Sequence, residues 1–181
     1  MNTGQTMLTL AALTVLSILT LNFYGSIAQT GRSLSQSNAG FFATSLATSY
    51  VERAQNAAFD EVTDTLAQNI VLTNPTLLTP TSRLGRDGDL SKDSIHKFTD
   101  FDDFSGFKDT TQPGGMLGTF VASFRVYYVN PLNIDQEVTY QTFVKKMDIK
   151  VWRIFPPIDT TEARAFDTAR VSCIMGYFKF I

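Results

Sequence analysis

The hydrophobic pattern divides the chain into three stretches. From Met7 to Tyr24 run eighteen residues without charge, proline or glycine, mostly Leu, Ala, Ile, Val and Thr, and the first charged side chain is Arg32. That length lies near the lower limit for a helix that crosses a bilayer. A soluble helix carries charge on its wet face, and this stretch has none. From Ser26 to Leu72 there is no proline, and apolar residues recur at helical spacing. Phe42, Leu46, Ser49/Tyr50 and Arg53 step along one stripe, with Ala39, Ala43, Ala47, Ala54 and Ala57/Ala58 beside it. Thr73-Asn74-Pro75 closes the pattern, because proline lacks a donor and biases the preceding residue away from helical angles. One long helix is expected, on the order of 75 Å from Thr6 to Ala57. Its apolar half protrudes and its amphipathic half continues to about residue 72. Gly25, Gly31 and Gly40 interrupt it, each costing about 1 kcal/mol relative to Ala. The cluster of Asn22, Gly25 and Ser26 marks either a meltable stretch or close helix packing.

Residues 73–118 read as loop, punctuated by Gly, Pro, Asp and Ser without either period. Thereafter the period is two. TFVASFRVYYVN places Phe120, Ala122, Phe124, Val126 and Tyr128 on one face, and Asn130-Pro131-Leu132-Asn133 turns the chain. VTYQTFVKKMDIKVWRIF sets Met147, Ile149 and Val151 against Lys146, Asp148 and Lys150, and ARVSCIMGYFKF is a third strand. The expected fold class is α+β: a three- or four-stranded antiparallel sheet over 119–181 covered by the amphipathic half of the helix.

Charge and cysteine usage exclude several classes of function. All 15 Lys and Arg and all 17 Asp and Glu lie from Arg32 onward, for a net charge of -2. This is no footprint for nucleic acid. Cys173 is the single cysteine, so no intrachain disulfide is available, and His96 is the single histidine. No Gly-rich phosphate loop, H-E-x-x-H or G-x-S-x-G elbow is present, and no enzymatic activity is expected.

Asp100, Asp102 and Asp103, with Asp87, Asp89 and Asp93 upstream, are the candidate calcium ligands, because hard cations take several oxygens from a flexible loop. Asp87-Gly88-Asp89 matches part of a calcium loop, but Phe98 stands where an EF-hand has its glutamate. The alternative is a solvated acidic turn. No other cofactor is expected, and His96 reads as a surface histidine. Phe98, Phe101, Phe104 and Phe107, spaced by three, are expected to pin the loop to the sheet.

Three stretches resemble the type IV pilin and pseudopilin superfamily. A short leader ends in Gly4 directly before the apolar helix; FATSLATSYVERAQNAAFDEV is similar to the helix end of minor pseudopilins and minor pilins; and TFVKKMDIKVWRI looks like the family strand Y-K-x-I-x-V-x-V-x-W, with Lys146, Ile149, Val151 and Trp152 in place. FTDFDDFSGF adds an acidic loop of the kind that precedes the first strand in some minor pilins. The family has an aromatic residue after the cleaved glycine and a glutamate four residues later, whereas this chain has Gln5 and Thr9.

The resemblance implies a pilin-like fold and a division into a leader at 1–4, a membrane and filament-core helix at 5–31, and a globular domain at 32–181. It implies processing between Gly4 and Gln5, and a filament core built from Leu8, Leu10, Leu13, Leu16, Leu19 and Phe23. The implied function is that of a structural subunit of a type IV pilus-like filament or pseudopilus, partnered by itself in a homopolymer or mixed pilus and by the pilus or secretion assembly machinery. Its location would be the inner membrane first, then an extracellular filament or periplasmic pseudopilus. Two alternatives stand beside it: a minor pseudopilin of a secretion system, and a single-pass membrane-anchored ligand-binding module. A cleaved signal ending at Ser26-Ile27-Ala28 competes with the leader, but Met1-Asn2-Thr3-Gly4 lacks the basic residue such signals carry.

Overall fold

A computed structural model describes residues 3–63, 72–85, 92–114, 117–155 and 168–178. The chain divides into two compact units, residues 1–38 and 39–181. In the first unit, helix α1 (Thr3–Gln55) runs through Gly25 and Gly31 without a break. Added Cβ atoms at these two glycines would meet nothing within 4 Å. Close packing among the described residues therefore does not account for them.

In the second unit, the remaining turns of α1 pack on an antiparallel sheet. The strands are β1 (Lys108–Thr111), β2 (Thr119–Asn130), β3 (Asn133–Glu137), β4 (Val144–Phe155) and β5 (Thr168–Gly176). Their order is β1-β2-β4-β5, with β3 paired to the end of β2. The buried helix stripe is Ala39, Ala43, Ala47, Tyr50 and Ala54, spaced by three and four so that all lie on one face. Alanines at its centre let the backbone approach the sheet, while Phe42, Leu46 and Val51 pack at its margins. Phe42 meets Phe120 with ring centroids 4.8 Å apart, and Tyr50 meets Phe124 edge-on at 5.0 Å.

The expected inward faces of β2 and β4 are buried: Phe120, Ala122, Phe124, Val126 and Tyr128 on one, Met147, Ile149 and Val151 on the other. The four phenylalanines pin their loop. Phe101 and Phe104 are buried, Phe98 and Phe107 pack at the core's edge, and Phe98 stands edge-on to both Phe104 and Phe107 at 5.0 Å.

Three expectations require correction. The helix ends at Gln55, not near residue 72. Beyond it Ala58 forms a parallel bridge to Asp100, with Ala58 N donating to Thr99 O and Phe101 N to Ala58 O, so these backbone groups serve a tertiary contact instead of another helical turn. The expected continuation over 64–71 lies outside the described residues. The stretch 73–118 is not all loop: it carries short 3-10 turns at Pro75–Leu77, Thr81–Arg83, Ile95–Lys97 and Asp102–Phe104, and then strand β1. The sheet has five strands in place of three or four, because β1 and β3 add to β2 at positions with little apolar content.

Candidate functional site

Two features of the molecule bear on function, one in each unit. On α1, Leu8, Leu10, Leu13, Leu16, Leu19 and Phe23 are all exposed, as are Gly4 and Gln5. The most apolar window of this helix has a mean hydropathy of 1.8 and none of it is buried. Eighteen residues from Met7 to Tyr24 span about 27 Å, close to the thickness of a bilayer's hydrocarbon. The hydroxyls within this stretch are turned to the helix's own backbone: Thr9 donates to Thr6 O, Thr14 to Ala11 O, Ser17 to Leu13 O and Thr20 to Leu16 O, all at 2.7–2.9 Å. These four hydroxyls are thereby satisfied without water, as an apolar environment requires. The surface is suited to lipid or to other helices of the same kind.

The second feature is a set of buried charges where the helix end, the aspartate loop and the sheet meet within the second unit. Lys145 stands on β4 in phase with Met147, Ile149 and Val151, so strand geometry turns it inward, and it is fully buried. An ammonium has three donors. Lys145 Nζ gives them to Phe59 O at 2.9 Å, Asp60 Oδ2 at 2.8 Å and Asp102 Oδ1. The rings of Phe59 and Tyr128 lie 4.7 and 5.4 Å from the same nitrogen.

Asp60, also fully buried, is set by the 3-10 turn Glu61–Thr63 that follows it. Its Oδ1 accepts from Val62 N and Thr79 Oγ1, and its Oδ2 from Thr79 N and Lys145. Asp103 Oδ2 accepts from Thr99 N at 2.9 Å, and Lys92 Nζ reaches both oxygens of Asp103 at 2.8 Å. Asp100 Oδ1 accepts from Asp103 N at 3.0 Å, while its Oδ2 is buried with no hydrogen-bond partner among the described residues. Burial, reinforced by the charges of Asp102 and Asp103, pushes the Asp100 carboxyl up to about 8. It is therefore mostly protonated at neutral pH, which reduces the uncompensated negative charge inside the domain.

The expected acidic loop is thus brought together, but it is not a solvated turn. Asp100, Asp102 and Asp103 are buried, and lysine ammoniums stand against Asp102 and Asp103 where the calcium expectation places a cation. Among the described residues no group of three or more His, Cys, Asp and Glu is arranged to hold a metal ion. Asp87 and Asp89 lie outside the described residues. Asp93 is exposed and paired with Lys97 at 2.7 Å, and His96 is exposed in the turn Ile95–Lys97.

No family model, curated protein or solved structure matches the chain.

Sequence reasoning missed Lys145, Asp60 and Tyr128 as one polar node. The signal for Lys145 was present: the same two-residue period that sends Met147 and Ile149 inward extends back to it. A lysine at an inward position demands a buried carboxylate partner, and the aspartates at 60 and 102 are that partner.

Proposed function

We propose that this protein is a structural subunit of a type IV pilus-like filament or pseudopilus, assembling through the apolar stretch of α1. The observation that supports this reading is the exposure of Met7–Tyr24 on every side of a helix whose later turns, from Ala39, are packed on the sheet. Such a helix needs an apolar surrounding along its first half. A membrane supplies it before assembly, and equivalent helices of neighbouring subunits supply it in a filament. Transfer between the two changes little hydrophobic energy, since lipid tails and leucines are similarly apolar, and packing of small residues such as Ala11, Ala12 and Ser17 then decides association. Repetition of one heterologous contact gives an open helical polymer.

Thr9 refines the proposal toward a minor subunit. Its hydroxyl is already given to Thr6 O, and it has no charge with which to neutralise a neighbour's amino terminus, the role that the resemblance assigns to a glutamate at this position. A subunit without that ion pair is suited to a place where few copies are needed.

The test is intact mass with N-terminal sequencing of protein recovered from sheared cell-surface material. A chain starting at Gln5 in fibres is the expected result and establishes pilin-type processing. A chain starting at Met1 in fibres retains the filament and removes the processing step. A chain starting at Gln29, or none in the sheared fraction, overturns the reading.

A further inference from the structure

Lys145 and Asp102 reach each other from different parts of the chain, β4 and the turn before β1, and both side chains are fully buried. We infer that this pair closes an intramolecular isopeptide bond, with Lys145 Nζ joined as an amide to Asp102 Cγ. The inference is independent of the filament reading.

The geometry supplies what amide formation between an amine and a carboxyl group needs. The nucleophile is held against the carboxyl by the β2–β4 pairing on one side and by the buried turn Asp102–Phe104 on the other, so the encounter is already made. The rings of Phe59 and Tyr128 wall the nitrogen, and the buried Phe101 and Phe104 bracket Asp102-Asp103 in sequence. A dry site withholds the water that would hydrolyse the product. A second carboxylate, Asp60 Oδ2, lies 2.8 Å from the attacking nitrogen and is placed to relay protons.

A proton passes from Lys145 Nζ to Asp102, leaving an amine and a carboxylic acid. The nitrogen lone pair attacks Cγ, and Asp60 takes a proton from nitrogen in the tetrahedral intermediate and delivers it to the departing hydroxyl. The C–N bond forms, the C–O bond breaks, one water leaves, and Asp60 is restored to its starting state.

Asp102 rather than Asp60 is the acceptor because Asp60 is committed elsewhere. Its oxygens receive Val62 N, Thr79 N and Thr79 Oγ1 as well as Lys145, and loss of one oxygen would strand a donor. The bond would close the chain between residues 102 and 145, fastening the phenylalanine-bearing turn to the central sheet. With Cys173 alone, the chain has no disulfide for that purpose.

The deciding experiment is mass spectrometry on the purified full chain. The expected intact mass is lower by one water than the sequence requires, and a tryptic digest yields a branched peptide joining 98–108 to 126–146. Lys145→Arg, which keeps the charge but offers no comparable amine, should show no water loss, while Lys92→Arg should retain it; any N-terminal processing is common to both. A wild-type chain at full mass, releasing an unlinked 126–145 peptide, overturns the inference without recourse to any variant. A branch from Lys145 to the peptide 54–83, which carries Asp60, overturns the assignment of Asp102.

Discussion

Tyr128 and Lys145 face each other across the β2–β4 pair, and from those positions they organise opposite ends of one polar node. Tyr128 Oη donates to Thr79 O at 2.8 Å, and Thr79 N donates to the same Asp60 that receives Lys145. The segment after the helix, the aspartate turn and the sheet are thereby tied together by groups that sit where an all-apolar core would otherwise be. Burial of these charges costs energy, which their mutual pairing offsets. What the node contributes is position: it fixes where the chain goes after Gln55.

Removing the lysine should therefore be severe. Lys145→Met removes the nitrogen that Asp60 and Asp102 share and leaves both carboxyl groups buried without it, a change that costs about 3–5 kcal/mol. Lys92→Met should cost less, because Asp103 keeps the Thr99 N–H and Lys92 is partly exposed. Urea unfolding of the two variants beside the wild type measures the difference; equal losses would show that Lys145 has no special role.

Asp100 gives the domain a pH dependence of predictable sign. Its carboxyl is raised in the folded chain to about 8 and returns to the ordinary value of 3.8 when unfolded. The folded state then binds a proton that the unfolded state releases. This contribution is complete below the unfolded value and is lost as pH rises toward 8. Asp100→Asn keeps an oxygen for Asp103 N and cannot ionise, so it should be more stable relative to wild type at pH 8 than at pH 5, by more than about 1 kcal/mol. A stability difference that does not change between these two pH values would contradict the raised carboxyl.

Much of this fold is legible in the sequence where one face is apolar and the other polar. β2 and β4 declare themselves by alternation, and Phe98, Phe101, Phe104 and Phe107 declare the loop they pin. β1, KDTT, and β3, NIDQE, do not, because neither contributes a buried residue and an exposed strand needs no apolar period. The helix end is hidden for another reason. No proline or glycine stands between Gln55 and Leu72, and the chain leaves the helix for a bridge between Ala58 and Asp100, a distant partner that local sequence cannot announce. The node is half legible: Asp100, Asp102 and Asp103 stand together in sequence, but Asp60 lies apart from them and the lysine belongs to a strand whose other polar residues, Lys146, Asp148 and Lys150, alternate with an apolar face.

The alanine stripe sets how close the helix lies to the sheet. Ala47 is fully buried, so Ala47→Leu forces extra methylenes into a filled contact and should cost about 1–3 kcal/mol in chemical unfolding of the full chain. Ala11→Leu adds the same atoms to an exposed position in the first unit and should leave that midpoint unchanged. If both variants behave alike, the stripe is not a packing surface.

Gly25 and Gly31 sit in α1 with open space around them. Substituting both by alanine should strengthen the helix by about 1 kcal/mol at each position, seen as slower amide exchange across residues 22–34 in detergent micelles. Should that variant also fail to assemble into fibres while remaining folded, the glycines are kept for a helix that must loosen or pack closely in the polymer.

The filament and the membrane anchor part company at Leu13. It lies in the middle of the uncharged stretch and is exposed at 60%. A carboxylate at this position is expensive in lipid, by about 2.5–3.5 kcal/mol at a helix centre, and it is equally unwelcome among packed apolar helices. In a filament each subunit meets several copies of its neighbours, so the penalty recurs at every contact and Leu13→Asp should abolish fibres in sheared material. A conservative exchange, Leu13→Ile, should leave them intact. Under the anchor reading the same Leu13→Asp chain only shifts from the membrane to the soluble fraction, and wild type yields no fibres at all. Quantifying the protein in the sheared, membrane and soluble fractions for the three chains separates these outcomes. Because the substitution leaves the second unit's core untouched, its unfolding midpoint should not move, which distinguishes lost assembly from lost fold.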